Sequence, residues 1–421
     1  MKLKTAHIFL AAASLATLTV LAGCGTNSAN ELSSPGYNVN DLVNVPSVVS
    51  LAINPQSASA HVGQRIQLEA NATLSDGQQI DIAQFVNWTS SDPSLASVSA
   101  TGLVSAKLPG TVTITATRGS ATSSIQFTVN PFITRVFTSN KTSNSIQVFD
   151  LNATGTSNPV HAISGTNTGL NAPGQMVVVG QELFVANTGA GEVDVFYLQA
   201  EGNVAPLRKI KATEIAAPTG IAINTTSNEL FVLSGTNIAV FNTNDSGDAV
   251  TPKRVITGGL VATDNAQIAL TPGDSSFPNA ILVPNTLDVR AFAQSASGDV
   301  APTKILTGPI VGPGTVTLLK KATAVALNTG LDNIYVSDPG STSPVVHRWQ
   351  VTADGVDVPL ASIPGFGAPQ GLLPVLATAG LWVVDSSNNN VSLLNADGTL
   401  NRAFTSGALS SPNGIVITGS F

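Results

Sequence analysis

Short runs of alternating apolar and polar residues, separated by turn-forming residues, make up most of this chain. Residues 183–224 read in order LFVAN, VDVFYL, VAPLRKI and PTGIAIN, with Gly, Asn, Thr and Pro concentrated between the runs. A period of two, rich in β-branched and aromatic residues, is typical of half-buried strands. The segment therefore predicts four short β-strands.

This four-strand unit recurs along the chain. A period near fifty residues with four strands per period is the pattern of a β-propeller blade. The spacing predicts an all-β fold in which a six-bladed β-propeller covers residues 132–421. Counterparts of the LFVAN run begin at Arg135, Leu183, Leu230, Ala280, Ile334 and Leu381.

The phase of the repeat predicts how the ring closes. We name the strands of a blade A to D from the centre outward. The chain enters the repeat at a B strand, residues 135–140, and ends at an A strand, residues 414–418. We therefore expect the C-terminal strand to complete the first blade, which leaves no inner edge unpaired.

A different arrangement of strands covers residues 47–130. Seven short alternating runs with turns between them predict an immunoglobulin-like β-sandwich. The stretch VNWTSSDPSLASVSATGLVSAKLPGTVTITAT resembles the bacterial immunoglobulin-like domain of group 2 in its Trp-Thr-Ser-Ser opening, Gly-Leu-Val turn and Pro-Gly-Thr. The resemblance implies an extracytoplasmic location. We expect Trp88 to fill the core of the sandwich.

The N-terminus carries a processing signal. Lys2 and Lys4 precede a mostly apolar stretch, residues 8–21, and small residues follow, so residues 1–23 are predicted to be a signal peptide. Fourteen helical residues cover about 21 Å, which is short of the roughly 30 Å bilayer core. A permanent membrane-spanning helix is therefore not expected.

The tetrad Leu-Ala-Gly-Cys at residues 21–24 resembles the lipobox of bacterial lipoproteins. The resemblance implies cleavage before Cys24 and lipidation of its sulfur. Gly25, which follows, resembles the default outer-membrane sorting pattern of Gram-negative lipoproteins. The alternative is an ordinary secretory signal with a chance cysteine. Residues 24–46, rich in Asn and Ser, are predicted to be a flexible tether.

Composition narrows the classes of partner. Only 10% of residues are charged and the formal net charge is −7, which becomes −9 without Lys2 and Lys4. Because nucleic-acid binding depends on neutralising phosphates, an acidic chain without a long basic run argues against it. We predict a monomer of the cell envelope, anchored in the outer membrane through the lipid on Cys24, with an envelope protein or glycan as its partner.

The turns from C to D carry Gly and then Pro before the outer strand. We expect proline to be tolerated there because the outer edge need not donate hydrogen bonds. Charged side chains on that edge are expected to discourage strand-to-strand association. These side chains are Lys209, Lys211, Lys253, Arg254 and Lys304.

Polar residues at the B-strand ends and in the D-to-A loops share one face of the propeller. A polar ring around the central funnel that contacts a ligand is the default binding hypothesis for a concave pocket. The interpretation favoured for these positions is that Asn and Asp at a strand end bond the backbone of the adjacent turn. The candidate ligand-binding residues are Asn140, Asn187, Thr219, Asn285, Asp338, Gln370, Asp385 and Asn413.

Residues 133–421 resemble NHL-repeat and gluconolactonase-like propellers, with LFVAN and IYVSD in place of their usual strand-plus-Asp pattern. The resemblance to gluconolactonases implies a divalent metal held by Glu, two amides and Asp. No Glu stands at the start of an A strand, so the first ligand of the gluconolactonase metal site has no counterpart in this chain. A Ca²⁺ ion on Asp338, Asp385 and carbonyl oxygens stays open. No other cofactor, no catalytic residue and no defined metal site are assigned.

Three functions compete at this point. The leading interpretation is a binding or scaffold lipoprotein without enzymatic activity, whose propeller face docks a protein or glycan. The alternative is a metal-dependent lactonase or lyase on the propeller. A third interpretation is an assembly factor that presents its blade edges to partner strands.

Overall fold

The computed structural model describes residues 47–130, 134–260, 265–273, 279–309, 318–328, 333–375 and 380–418. The chain divides into two compact units, Met1–Phe132 and Ile133–Phe421. The predicted signal peptide, Cys24 and the tether lie outside the described residues. Within the described ranges, no helix is long and apolar enough to cross a membrane. The helical elements there are single 3₁₀ turns at Ala83–Phe85, Thr166–Thr168 and Thr213–Ile215.

Residues 47–130 form a β-sandwich of ten strands, where the sequence pattern predicted seven. The predicted run RIQLEANA breaks at Leu68, whose N–H donates to Gly102 O (2.9 Å). The part before Leu68 pairs in one sheet and the part after it in another. The strands are Val48–Asn54, Ala58–His61, Arg65–Gln67, Glu69–Leu74, Gln79–Asp81, Asn87–Ser90, Ala96–Val98, Leu103–Ala106, Gly110–Arg118 and Ala121–Asn130.

Trp88 lies in the core of the sandwich, as predicted. Its side chain packs in a cluster with Ile114 and Phe127, and its Nε1 donates to Ala83 O (2.7 Å). Gly102 lies against the ring at φ +83°, and a Cβ there would fall 2.6 Å from a backbone oxygen. The glycine of the Gly-Leu-Val turn is therefore required both for its backbone angle and for the close packing of Trp88.

The described residues of the second unit form six sheets, each with antiparallel A to D strands in the predicted order, and the short strands Gly155–Thr156 and Gly298–Asp299 add a parallel fifth strand to two of them. Each B strand begins within one residue of its predicted start. In A to D order the strands are, for blade 1, Pro412–Thr418, Arg135–Asn140, Ser145–Asp150 and His161–Ser164; for blade 2, Pro173–Val179, Glu182–Asn187, Glu192–Tyr197 and Arg208–Lys211; for blade 3, Pro218–Asn224, Glu229–Ser234, Asn237–Asn242 and Arg254–Thr257; for blade 4, Ala269–Leu270, Ala280–Asn285, Asp288–Ala293 and Lys304–Leu306; for blade 5, Ala324–Asn328, Asn333–Asp338, Val345–Gln350 and Ala361–Ile363; and for blade 6, Pro369–Val375, Gly380–Asp385, Asn390–Leu394 and Leu400–Thr405.

The C-terminal strand closes the ring. Pro412–Thr418 pairs antiparallel with Arg135–Asn140, with Arg135 opposite Thr418 and Phe137 opposite Val416. Each A strand also contacts the A strands of the two neighbouring blades, all the way around the ring. The predicted closure is confirmed, and the first blade is built from the two ends of the propeller sequence.

Both faces of each blade are buried between its neighbours. In blade 2, Phe184 and Val195 pack with Leu230 and Val232 of blade 3. The B strands of blades 3 to 6 are buried at every residue. Trp349 and Trp382 are 0% and 1% exposed inside such clusters, so they pack between blades.

The outer edges of the D strands are hydrogen-bonded, so the expectation that they need not donate is wrong. In blade 1, Ser164 N donates to Gly202 O (3.1 Å) in the C-to-D turn of blade 2. Gly202 has φ +72°, which favours glycine at this position. The turn of the next blade also pairs with the D strands of blades 2, 3, 4 and 6. In five of the six described blades, the turn of the next blade therefore protects the outer edge.

Arginines tie each of three blades to the next. Arg254 lies over the Phe231 ring (5.7 Å), bonds the Glu229 carboxylate, and donates to Gln294 O of blade 4 (2.6 Å). Hydrogen bonds from Arg254 and then Lys253 lower the pKa of Glu229 to about 2. Arg208 lies over Phe184, bonds Glu182 and donates to Thr243 O of blade 3. Arg402 lies over Trp382 and donates to Leu151 O, which joins blade 6 to blade 1. These basic side chains hold blades together in addition to charging the rim.

Removal of residues 412–421 is expected to destabilise the propeller. Ile415 and Val416 are 5% and 6% exposed, and burying two such side chains contributes roughly 3 kcal/mol. Differential scanning calorimetry should show a lowered propeller transition, with the sandwich transition as the internal control. A truncated chain that melts like the full chain would contradict the closure.

Candidate functional site

Glutamine side chains hold the inner strands together at the propeller axis. Gln175 of blade 2 accepts hydrogen bonds at Oε1 from Ile221 N of blade 3 (2.9 Å) and Ile268 N of blade 4 (3.0 Å). Its Nε2 donates to Ile268 O (2.9 Å). One side chain thus joins three blades.

A second glutamine completes the network from the other side. Gln267 Nε2 of blade 4 donates to Asn413 Oδ1 (2.8 Å) and Asn413 O (3.0 Å) of blade 1. Asn413 Nδ2 in turn donates to Asn265 Oδ1 (3.2 Å). The axis is therefore occupied by amide groups that bond to one another and to the backbone.

Small residues in the other blades make room for this network. A Cβ on Gly220 would fall 2.7 Å from Ala266 O and 3.3 Å from Gln175 Oε1. A Cβ on Gly414 would fall 2.5 Å from Gly174 O. Glycine at these A-strand positions therefore permits close approach of the inner strands, and substitution would force them apart.

Side chains at the B-strand ends hold the loop that leads into the A strand of their own blade. Asp385 accepts hydrogen bonds from Gly367 N (2.7 Å) and Ala368 N (2.8 Å), and also from Ser387 N and Asn388 N of the following turn. Asp338 accepts from Lys320 N (3.0 Å) and Lys321 N (2.8 Å). The two carboxylates are 1% and 0% exposed.

The asparagines at the same position have related roles. Asn140 Oδ1 accepts from Ser410 N (3.0 Å), and Asn187 Oδ1 accepts from Asn171 N (2.7 Å). Asn285 Nδ2 donates to Asp288 Oδ1 (3.1 Å). All three side chains are buried. Ligand contact by these B-strand residues stays a prediction, and each of them already takes part in an internal hydrogen bond.

Of the three residues predicted from the D-to-A loops, Asn413 joins the axis network directly. Gln370 stands at the equivalent position of blade 6 and Thr219 at that of blade 3. Gln370 Oε1 and Thr219 Oγ1 are buried and have no hydrogen-bond partner among the described residues. The structure thus separates the predicted ring into loop-holding residues and axial residues.

Four residues of this region were not predicted from the sequence: Lys141, Gln175, Asn265 and Gln267. The two glutamines occupy a position that is Gly or Ala in the other four blades. This departure from the repeat is the signal that could have identified them. Lys141 and Asn265 lie in loops, where the strand repeat does not align residues of one blade with those of another.

The carboxylates proposed for Ca²⁺ are oriented by N–H donors. Asp338 and Asp385 each receive at least three N–H groups, which point positive hydrogens at the oxygens a cation would need. Within the described ranges, no three His, Cys, Asp or Glu side chains are grouped so that they could hold a metal. The residues present do not fit the calcium site.

Asp194 and Glu192 form a buried acidic pair next to Asn187 in blade 2. Asn187 Nδ2 donates to Asp194 Oδ2 (2.6 Å), while Glu192 lies 3.6 Å from Lys209 Nζ and 3.5 Å from Lys211 Nζ. Burial, followed by the neighbouring Glu192 charge, raises the pKa of Asp194 to about 7. Asp194 therefore supports a loop-holding residue and titrates near neutral pH.

The sandwich segment, residues 47–129, matches the family model for the bacterial Ig-like domain of group 2. This segment is a bacterial Ig-like domain. Domains of this group occur in extracellular bacterial proteins, which agrees with a location in the cell envelope. The chain is 35% identical over 103 residues to Ice-binding protein 1 of Shewanella frigidimarina, a match that covers 24% of this chain and 10% of that protein. The chain thus spans about a tenth of this curated relative.

Solved structures resemble the chain in fold alone. A chain of the nidogen/laminin complex aligns with a TM-score of 0.50 at 12% identity, over 68% of this chain and 99% of that one. A Bacteroides uniformis protein, provisionally assigned as a 6-phosphogluconolactonase, aligns with a TM-score of 0.46 at 12% identity, over 83% and 95% of the two chains. The latter score is too low to support an argument about function.

Replacing Gln175 by Ala is expected to destabilise the propeller by about 2 kcal/mol, because backbone groups of two other blades lose their partner. Urea unfolding followed by tryptophan fluorescence measures the change. Gln126→Ala is the matched control, since Gln126 bonds only the exposed Thr113 hydroxyl of the sandwich. Equal stability of the two variants would show that the axis network is not needed.

The Asp194 carboxyl is expected to make stability depend on pH. Its pKa is about 7 in the folded state and 3.8 ordinarily, so the folded protein binds more protons between these values and loses stability as pH rises through them. Asp194→Asn should remove this loss and raise stability at pH 8, by at most roughly 4 kcal/mol at about 1.4 kcal/mol per pH unit. Urea unfolding at pH 5 and pH 8 tests it, with the exposed Asp299→Asn as control. A wild-type protein that is equally stable at both pH values would rule this out.

Proposed function

We propose that this protein is a lipid-anchored binding or scaffold protein of the cell envelope. Its docking surface is the propeller face formed by the D-to-A and B-to-C loops, and its partner is an envelope protein or glycan. The observation that carries this proposal is the use of the acidic side chains on that face. Asp338 and Asp385 hold loops in place, which favours a rigid surface over a reaction centre.

The N-terminal unit supports an extracytoplasmic role. Its Ig-like domain belongs to a group found in extracellular bacterial proteins, where such a module can act as a spacer or scaffold. The relative's name describes ice binding by that protein. Since the match covers only a tenth of it, the likeness supports a shared module and no shared ligand.

The anchor in this proposal is Cys24, the only cysteine of the chain. Several acyl chains on one residue give stable membrane attachment where a single chain does not. Residues 24–46, if extended, reach on the order of 70 Å, so the folded units could stand well away from the membrane. We propose the outer membrane as the site of attachment, a monomeric state, and NHL-type blades in the propeller.

The two other interpretations receive less support. A metal-dependent lactonase or lyase needs oxygen ligands free of competing donors, and the Asp338 and Asp385 carboxylates on this face are engaged by N–H groups. An assembly factor that offers blade edges needs open D strands, and the C-to-D turns cover most of these. Neither interpretation matches the geometry as well as a docking surface does.

Cys24→Ala is expected to release the protein from the membrane, because the residue that carries the acyl chains is gone. Cells expressing wild-type and variant protein would be labelled with a palmitate analogue and fractionated. The wild-type protein should carry label and sediment with outer membranes, whereas the variant should carry none. Label and sedimentation that persist in Cys24→Ala would disprove the anchor.

The docking role predicts saturable binding of the purified full-length protein to isolated envelopes. Binding that periodate abolishes identifies a glycan partner, and binding that protease abolishes identifies a protein partner. The same envelopes without treatment and a fluorescent control protein define specific binding. No saturable binding to untreated envelopes would contradict the proposed function.

A further inference from the structure

Lys141 lies over the axis on the proposed docking face. It directly follows strand B of blade 1, and its Nζ donates to Asn265 Oδ1 (2.7 Å), next to strand A of blade 4. The same oxygen accepts from Asn413 Nδ2, which belongs to the axial amide network. The ammonium group thus reaches across the ring to the mouth of the funnel.

This ammonium has no counter-ion in the described part of the chain. Lysines of the rim differ, since Lys209 and Lys211 pair with Glu192, and Lys253 pairs with Glu229. An ammonium has three N–H donors, and the structure uses one of them at Lys141. A partly buried cation with two remaining donors favours an anionic oxygen ligand.

Unpartnered polar atoms lie at the same level of the axis. Gln370 is 7% exposed and its Oε1 has no partner among the described residues, and the same holds for Thr219 Oγ1. Both residues are equivalent by repeat to Asn413, whose side chain enters the axial network. Buried polar groups in native proteins are nearly always hydrogen-bonded, so these two oxygens leave acceptor capacity at the axis that water or a hydroxyl-bearing ligand can use.

Charge is distributed unevenly between the two faces. The described D-to-A and B-to-C loops carry Lys141, Lys320 and Lys321 against Glu214. The described C-to-D loops carry one cation, Lys253, against seven acidic residues. Asp338 and Asp385 at the B-strand ends offset the lysines of this face, so its charges nearly cancel, and an anion meets less repulsion at the funnel mouth than at the acidic C-to-D loops. The seven are Glu201, Asp245, Asp248, Asp299, Asp354, Asp357 and Asp397.

The lining favours a sugar over a peptide. Apart from Leu287, the large apolar side chains described as exposed on the propeller lie at the outer strands and C-to-D loops, such as Val160, Leu207 and Val358. Amide and hydroxyl groups at the axis match sugar hydroxyls, and one ammonium matches one carboxylate. We propose that the funnel mouth binds a uronate residue of an acidic saccharide, with Lys141 contacting its carboxylate. The inference rests on the docking role proposed above and specifies its ligand.

The test is calorimetric titration of the purified full-length protein with trigalacturonate, its methyl ester and glutarate. Trigalacturonate should bind, whereas the ester has lost the charge and glutarate lacks the hydroxyl groups, so both should bind about tenfold more weakly or not at all. Lys141→Gln should weaken trigalacturonate binding about tenfold, and Lys141→Arg should keep most of it because the charge remains. Lys321→Gln, an exposed lysine of the same face, is the control and should change affinity less than about twofold.

Three outcomes would overturn the inference. If the methyl ester binds as tightly as trigalacturonate, the carboxylate is not recognised. If Lys321→Gln loses as much affinity as Lys141→Gln, the lysines attract the ligand by their overall charge and Lys141 makes no specific contact. Absence of trigalacturonate binding, while the protein still binds envelopes, would reject this ligand and leave the docking role standing. Loss of envelope binding altogether would instead reject the docking role. A melting temperature of Lys141→Gln close to wild type confirms that the variant is folded.

Discussion

Burial of both faces of every blade is the constraint on which the propeller depends. A four-stranded sheet with apolar residues on each side is stable only when another sheet covers each side, and a closed ring provides this for all six blades. The last strand makes the closure possible by pairing with Arg135–Asn140. The tie between the two ends of the propeller sequence converts a linear repeat into a single cooperative unit.

Closure brings six inner strands together at one axis, where their polar backbone groups need partners. Gln175 and Gln267 provide these partners, and glycines such as Gly220 and Gly414 leave room for them. The same requirement explains the acidic and amide side chains at the B-strand ends, which hold the incoming loops. Side chains that suggest ligand binding or catalysis in the sequence are thus used to maintain the architecture.

What remains for binding is the mouth of the funnel. There the structure leaves a cation without a described counter-ion, at Lys141, and unpaired oxygens on Gln370 and Thr219. The rim differs, because its charges pair with one another and its edges are covered by neighbouring turns. The rim is thus engaged mainly in joining blades, whereas the face with loops held by Asp338 and Asp385 is the one proposed for docking.

The sequence by itself determined the all-β class, the six-blade repeat, its phase and the buried position of Trp88. These follow from local periodicity and constant spacing, which do not require knowledge of distant contacts. Only the tertiary structure decided the site. Gln175 and Ile268 are 93 residues apart, and Lys141 and Asn265 are 124 apart. Because ring closure alone brings such residues together, their hydrogen bonds leave no trace in the local pattern of the chain.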